Sequence, residues 1–153
     1  VGVMQVARLM LQRLCQDLAI DDDECRVTLV AALLHDLGHG PFSHVFERVT
    51  SVHHERLTRR VIADPESEIH RLLITTDKSL PERVGAMLEG KPPRRFLGDV
   101  ISSTLDADRF DYLLRDNLMT GSNYGGYDLR WMLAALVVDP AWQRLAVLPK
   151  AQS

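Results

Sequence analysis

The stretch VTLVAALLHDLGHGPFSH, residues 27–44, decides the fold. Its first eight residues are almost wholly apolar, which at helical length reads as a buried helix. Asp21, Asp22 and Asp23 supply an acidic first turn, and Asp21 stands in capping-box register with Glu24. Gly38, Gly40 and Pro41 stop the helix. His35 and Asp36 therefore fall at the end of an apolar segment, where an imidazole and a carboxylate are costly to bury. A cation lying beyond the helix end would compensate them. His39 follows one turn after His35, and His44 lies across the Gly-Pro turn, so four ionisable groups crowd a sharp bend. The plainer alternative is a hydrogen-bonded His35–Asp36 pair with His39 and His44 on the surface.

Outward from this segment the pattern stays helical. Upstream, Val3, Val6, Ala7, Met10, Leu11, Leu14 and Leu18 recur at three and four. This helix starts with no cap, which predicts sequence before Val1. Downstream, HHERLTRRVIA reads as a helix striped by Leu57, Val61 and Ile62; Asp64-Pro65 reads as the cap of the next, and Ser79 with Glu82 as a second capping box. KPPRR is a loop. FLGDVISSTLDADRFDYLLRDNLM predicts one long helix or two joined near Ser102 to Thr104; GSNYGG breaks it, and Asp128 caps DLRWMLAALVV. WQRLAV in the tail is a candidate strand. The expectation is an all-α helical bundle over residues 1–140, with 141–153 beginning a following region.

LDADRFDYLLRD carries a second cluster. Asp108, Asp111, Tyr112 and Asp116 share one helical face, flanked by Arg109 and Arg115. Carboxylates this dense repel one another unless cations neutralise them. A solvated, ion-paired face is the plainer alternative, and Asp106 is assigned to it.

Composition narrows the function. Eighteen Lys and Arg against twenty-one Asp and Glu give a net charge of −3, so nothing attracts nucleic acid or an anionic membrane in bulk. No apolar run reaches membrane length, and no signal peptide is recognisable. Cys15 and Cys25 are neither clustered nor in a metal-ligand spacing, which fits a reducing compartment, and the cytoplasm is expected.

LLHDLGHGPFSH, followed far downstream by SSTLDADRFDYLLRDNLMTG, resembles the HD-domain phosphohydrolase superfamily, and within it the deoxynucleoside triphosphate triphosphohydrolase branch. The resemblance runs from GVMQVA to YDLRWML. It implies an HD-domain bundle and a metal held in the pattern H, HD, D. His35 and Asp36 match the doublet and Asp108 the distant aspartate. The first histidine of that pattern falls about two positions before Val1.

The resemblance also implies the other roles. His39, His44 and His54 match active-site histidines, with Glu55 as acidic neighbour of His54; the HHE sequence leaves His53 eligible as well. Arg109 matches a residue contacting phosphate, Tyr112 a ring against the sugar and Asp116 the acid reading the 3′-hydroxyl. Relatives usually have a longer segment before their H-E step, so either this loop is truly short or residues are missing between Thr50 and Ser51. A nitrogen and oxygen ligand set suits Fe, Mn, Ni, Co or Zn, with Mg less favoured. The expected substrate is a dNTP, cleaved to deoxynucleoside and inorganic triphosphate, by an enzyme that is a homo-oligomer. The alternatives are a 5′-nucleotidase, a cyclic-nucleotide or (p)ppGpp phosphodiesterase, and a regulatory HD module without catalysis.

Overall fold

The computed structural model describes residues 1–121 and 126–148. Residues 122–125, within the GSNYGG break, and 149–153 of the tail lie outside the described residues. Helices α1 (Gly2–Leu14), α2 (Asp22–Leu34), α3 (His44–Thr50), α4 (His54–Ala63), α5 (Glu68–Thr76), α6 (Leu80–Leu88), α7 (Arg95–Ile101), α8 (Ala107–Thr120) and α9 (Leu129–Ala135) precede a hairpin of β1 (Leu136–Asp139) and β2 (Arg144–Val147). The bundle is all-α apart from that hairpin, as expected. None of the described helices is long and apolar enough to cross a membrane.

Helix α2 forms where the sequence predicts it. Asp21 accepts the Glu24 N–H at 2.6 Å and the Glu24 carboxylate returns to the Asp21 N–H, so both partners of the capping box are present. The helix packs against α1, α6 and α7. Val27, Ala31 and Ala32 meet Met10, Leu14, Val84, Phe96 and Val100 in one continuous buried cluster. Each large side chain so enclosed is worth about 1.5–3 kcal/mol over an exposed one. Helix α1 also lies against α8, where the Asp111 carboxylate and the Arg115 guanidinium come close over Gly2.

Four local expectations give way to competing interactions. Asp64 ends α4 instead of opening the next helix; its carboxylate takes the Glu66 N–H, and Ser67 caps α5 by accepting the His70 N–H at 3.0 Å. Ser79 makes no side-chain cap, because Asp77 takes both its N–H (2.8 Å) and its hydroxyl (2.9 Å). Asp106 is not a solvated charge: it is 8 % exposed, caps α8 through the Arg109 N–H and accepts the Ser103 N–H, separating α7 from α8. The helix begun at Asp128 stops at Ala135, and LVVD becomes a strand paired antiparallel with RLAV, Leu136 opposite Val147 and Asp139 opposite Arg144. Two β-branched residues and a partner just beyond a tight turn outweigh helical continuation.

Helix α3 closes at Ser51, which adopts a left-handed φ of 56° and donates its N–H to the Glu47 carbonyl at 2.7 Å.

Candidate active site

The turn between α2 and α4 is built around one buried hydroxyl. Thr58, 1 % exposed, donates to the His35 carbonyl at 3.1 Å and accepts the Gly38 N–H at 2.8 Å. A Cβ on Gly38 would meet the His54 carbonyl and the Thr58 nitrogen, so only glycine admits α4 this close to the HD turn. Replacing Thr58 by Val leaves two buried backbone groups without partners. We expect Thr58→Val to lower stability by about 1–3 kcal/mol and to reduce metal content per protein, read by denaturant unfolding beside elemental analysis.

His35 is oriented by its own helix. Its Nδ1 donates to the Ala32 carbonyl at 2.9 Å, which leaves Nε2 with a free lone pair. That nitrogen is buried and has no hydrogen-bond partner. Asp36 Oδ2 lies 3.3 Å from it and Asp108 Oδ1, arriving on α8, lies 3.7 Å from it, neither contact making a hydrogen bond. One ligand atom from each of the three residues falls within 4.8 Å of the other two. An orphaned imidazole nitrogen facing two carboxylates is a donor set that fits a divalent cation.

The electrostatics are consistent with that fit. Burial works to lower the His35 pKa, but the close Asp36 carboxylate, the Ala32 carbonyl and the charge of Asp108 outweigh it, and the imidazole titrates above its usual 6.5. Asp36 moves down from 3.8, chiefly through His35, against its own burial. Asp108 moves up because burial and the neighbouring acids exceed the pull of His35. Without metal, the His35 contribution to stability is present below the unfolded imidazole value and is lost as pH rises through the folded one; that of Asp36 is present above 3.8 and lost as pH falls through its lower folded value. A proton on His35 Nε2 excludes a cation, so metal affinity falls about tenfold per unit below the His35 pKa. Denaturation midpoints of chelator-treated and metal-loaded protein between about pH 5 and pH 8 therefore diverge, the loaded form gaining as pH rises.

A second group stands beside the first. Phe42 and Ser43 both adopt positive φ, 62° and 50°, a strained turn that brings α3 back over His39. Ser43 makes no cap on α3, since its Oγ lies 3.2 Å from His39 Nδ1. The His39 ring stacks on His54 with centroids 3.8 Å apart, and His44 meets His39 edge-on at 5.4 Å. His39 Nε2 and His54 Nε2 lie 3.5 and 3.9 Å from Asp36 Oδ1. His54 Nδ1 is hydrogen-bonded to the Glu47 carboxylate. Glu47 sits well below its usual pKa, first through His54, and His53 also approaches it at 3.4 Å.

Glu47 was not singled out by its sequence, although it lies three residues after His44 and so shares its face of α3. It, and not Glu55, is the carboxylate that holds His54; Glu55 is exposed and lines the cavity without a hydrogen bond among the described residues. Of the two adjacent histidines, His54 enters the cluster with a side chain 19 % exposed, while His53 is 82 % exposed.

One cavity of about 1090 Å³ joins these parts. His35, Asp36, His39, His44, His54, Asp108 and Tyr112 line it. Arg109 and Asp116 are exposed on α8 and are not among its lining residues.

A family model described as the HD domain matches residues 1–93. The chain belongs to the HD-domain family. This HD-domain chain is 38 % identical over 136 residues to the uncharacterised protein YwfO of Bacillus subtilis, a match covering 88 % of the chain and 31 % of YwfO. It is 29 % identical over 144 residues to a deoxynucleoside triphosphate triphosphohydrolase, the SAMHD1 homologue of Dictyostelium discoideum, across 79 % of the chain and 26 % of that protein. Among solved structures, a phosphohydrolase from Bacteroides thetaiotaomicron superposes with a TM-score of 0.80 at 30 % identity, over 95 % of this chain and 35 % of that one. The chain thus spans about a third of the length of these relatives.

Proposed function

We propose that this HD domain is the catalytic unit of a metal-dependent nucleotide phosphohydrolase, and that its substrate is a dNTP cleaved to deoxynucleoside and inorganic triphosphate. The observation that carries the proposal is the convergence of Asp108 on His35 and Asp36 in the same cavity as His54, whose ring Glu47 holds. His35, Asp36 and Asp108 hold the metal. Bound there, a divalent cation such as Fe, Mn, Ni, Co, Zn or Mg acidifies water and polarises a phosphoryl oxygen.

The remaining work falls to the chain itself. Water adds to the α-phosphorus as the bond from phosphorus to the 5′ oxygen breaks. The departing oxygen needs a proton. His54 donates it from Nε2, because Glu47 engages Nδ1 and fixes the ring so that Nε2 faces Asp36. His39 and His44 bind and orient the phosphates at the mouth of the strained turn. Tyr112, half-exposed on the cavity wall, packs its ring against the sugar. The roles of Arg109 on phosphate and Asp116 on the 3′-hydroxyl rest on the resemblance alone.

Support for the dNTP substrate comes from the triphosphohydrolase relative and from the LGHGPFSH and DYLLRD segments. The test is a metal-supplemented screen of the full-length protein against dNTPs, NTPs, dNMPs and cyclic nucleotides. Release of inorganic triphosphate from dNTPs is expected; turnover of monophosphates or cyclic nucleotides alone overturns the substrate assignment.

A further inference from the structure

The cavity extends past the histidines to a second wall made by the α6–α7 connection, helix α7 and strand β2, where Glu89, Arg95, Asp99 and Arg144 line it. Charge at this end is distributed unevenly. Asp99 is 4 % exposed, and such a carboxylate is tolerated only when paired. Its oxygens receive Arg144 Nη2 at 2.7 Å, Arg144 Nε at 2.8 Å and the Leu145 N–H at 2.9 Å. Glu89 is likewise engaged, by Lys91 at 2.9 Å and Arg59 at 3.6 Å. Arg95 has no hydrogen bond or ion pair among the described residues, and the Nη1 group of Arg144 is not used by Asp99.

This end of the cavity therefore presents one uncompensated guanidinium and a second that a buried carboxylate holds in place. The opposite end presents Asp36, Asp108 and Glu55, which repel a polyanion unless cations act elsewhere on it. Arg109, the cation that sequence offers for that purpose, is not on the cavity wall. A volume of about 1090 Å³ is just above the roughly 300–1,000 Å³ usual for small-ligand sites, which leaves room for more than a monophosphate. Guanidinium forks match phosphate oxygens in geometry as well as charge.

We propose that the α7–β2 end of the cavity is a subsite for the outer phosphates of a polyphosphorylated nucleotide, with Arg95 and Arg144 as its cations. The proposal rests on the nucleotide-phosphohydrolase reading and adds to it the group that separates triphosphate from monophosphate substrates. Asp99 is its positioning residue, acting through Arg144.

The test uses full-length, metal-loaded protein and inorganic triphosphate as the calorimetric probe, with orthophosphate beside it. Arg95→Gln removes an exposed, unbonded charge and threatens no packing. It is expected to weaken triphosphate binding about tenfold, with metal content and orthophosphate binding unchanged. Arg144→Gln alone would strand a buried carboxylate, so it is paired with Asp99→Asn, which removes both charges together, and a similar loss is expected. In kinetics, Arg95→Gln raises KM for dNTPs about tenfold more than KM for dNMPs. Wild-type triphosphate affinity in both variants overturns the subsite, and dNTP hydrolysis that persists with unaltered KM does the same while leaving the catalytic reading intact. Triphosphate binding that depends on Arg95 in a protein that hydrolyses no nucleotide upholds the subsite and defeats the catalytic reading instead.

Discussion

Asp108→Ala in the full-length protein abolishes both metal retention and phosphohydrolase activity. The expectation follows from position. Asp108 is the one carboxylate that α8 delivers to the orphaned His35 Nε2, at 3.7 Å, and Asp36 alone cannot satisfy a divalent cation's need for several donors. Burial already holds the Asp108 carboxyl above its usual pKa, so its ionised form is disfavoured until a cation is present. The substitution also relieves repulsion from Asp36, Asp106 and Asp111, so the apoprotein stays folded. Elemental analysis, circular dichroism and dNTP turnover on the same preparation check this. Metal content equal to wild type in a folded Asp108→Ala protein would remove Asp108 from the ligand set.

His54→Ala is expected to act on the chemistry with the metal still bound. Loss of a positioned general acid lowers kcat by about 10²–10⁴-fold. Glu47→Gln tests the partner separately: the amide no longer holds the His54 ring as the carboxylate does, so kcat falls, but less than in His54→Ala. The Glu47 carboxylate is hydrogen-bonded to His54 Nδ1 and is itself held below its usual pKa, first by that imidazole. Glu55→Gln, on an exposed side chain without a hydrogen bond among the described residues, serves as the contrast. A kcat that falls in Glu55→Gln while that of Glu47→Gln stays at the wild-type value would reverse the assignment.

What was legible in the sequence was local chemistry and motif. The Asp21–Glu24 box is complete within four residues. His35, Asp36 and Asp108 announced themselves as polar groups in costly places, and their convergence needed only the bundle to close. Where a rule failed, a nearer or more distant partner won. Asp77 took Ser79 before α6 was able to use it. LVVD left its helix because RLAV lies across a turn whose N–H groups Asp139 gathers, at 2.8 and 2.9 Å from Ala141 and Trp142. Asp99 and Arg144 lie 45 residues apart, on elements that no periodicity brings together, so the second wall of the cavity appears only in the folded chain. Glu47 was overlooked for a related reason: its partner His54 lies across a turn, and an acidic residue already stood next to that histidine in sequence.

Hydrolysis of a dNTP in ¹⁸O-enriched water by the metal-loaded full-length protein tests the central claim most directly. Attack at the α-phosphorus with proton delivery to the 5′ oxygen places one ¹⁸O in inorganic triphosphate and none in the deoxynucleoside, a result that mass spectrometry of the two products reads at once. Label in orthophosphate or pyrophosphate, or no turnover by a protein that demonstrably holds its metal, would contradict the account.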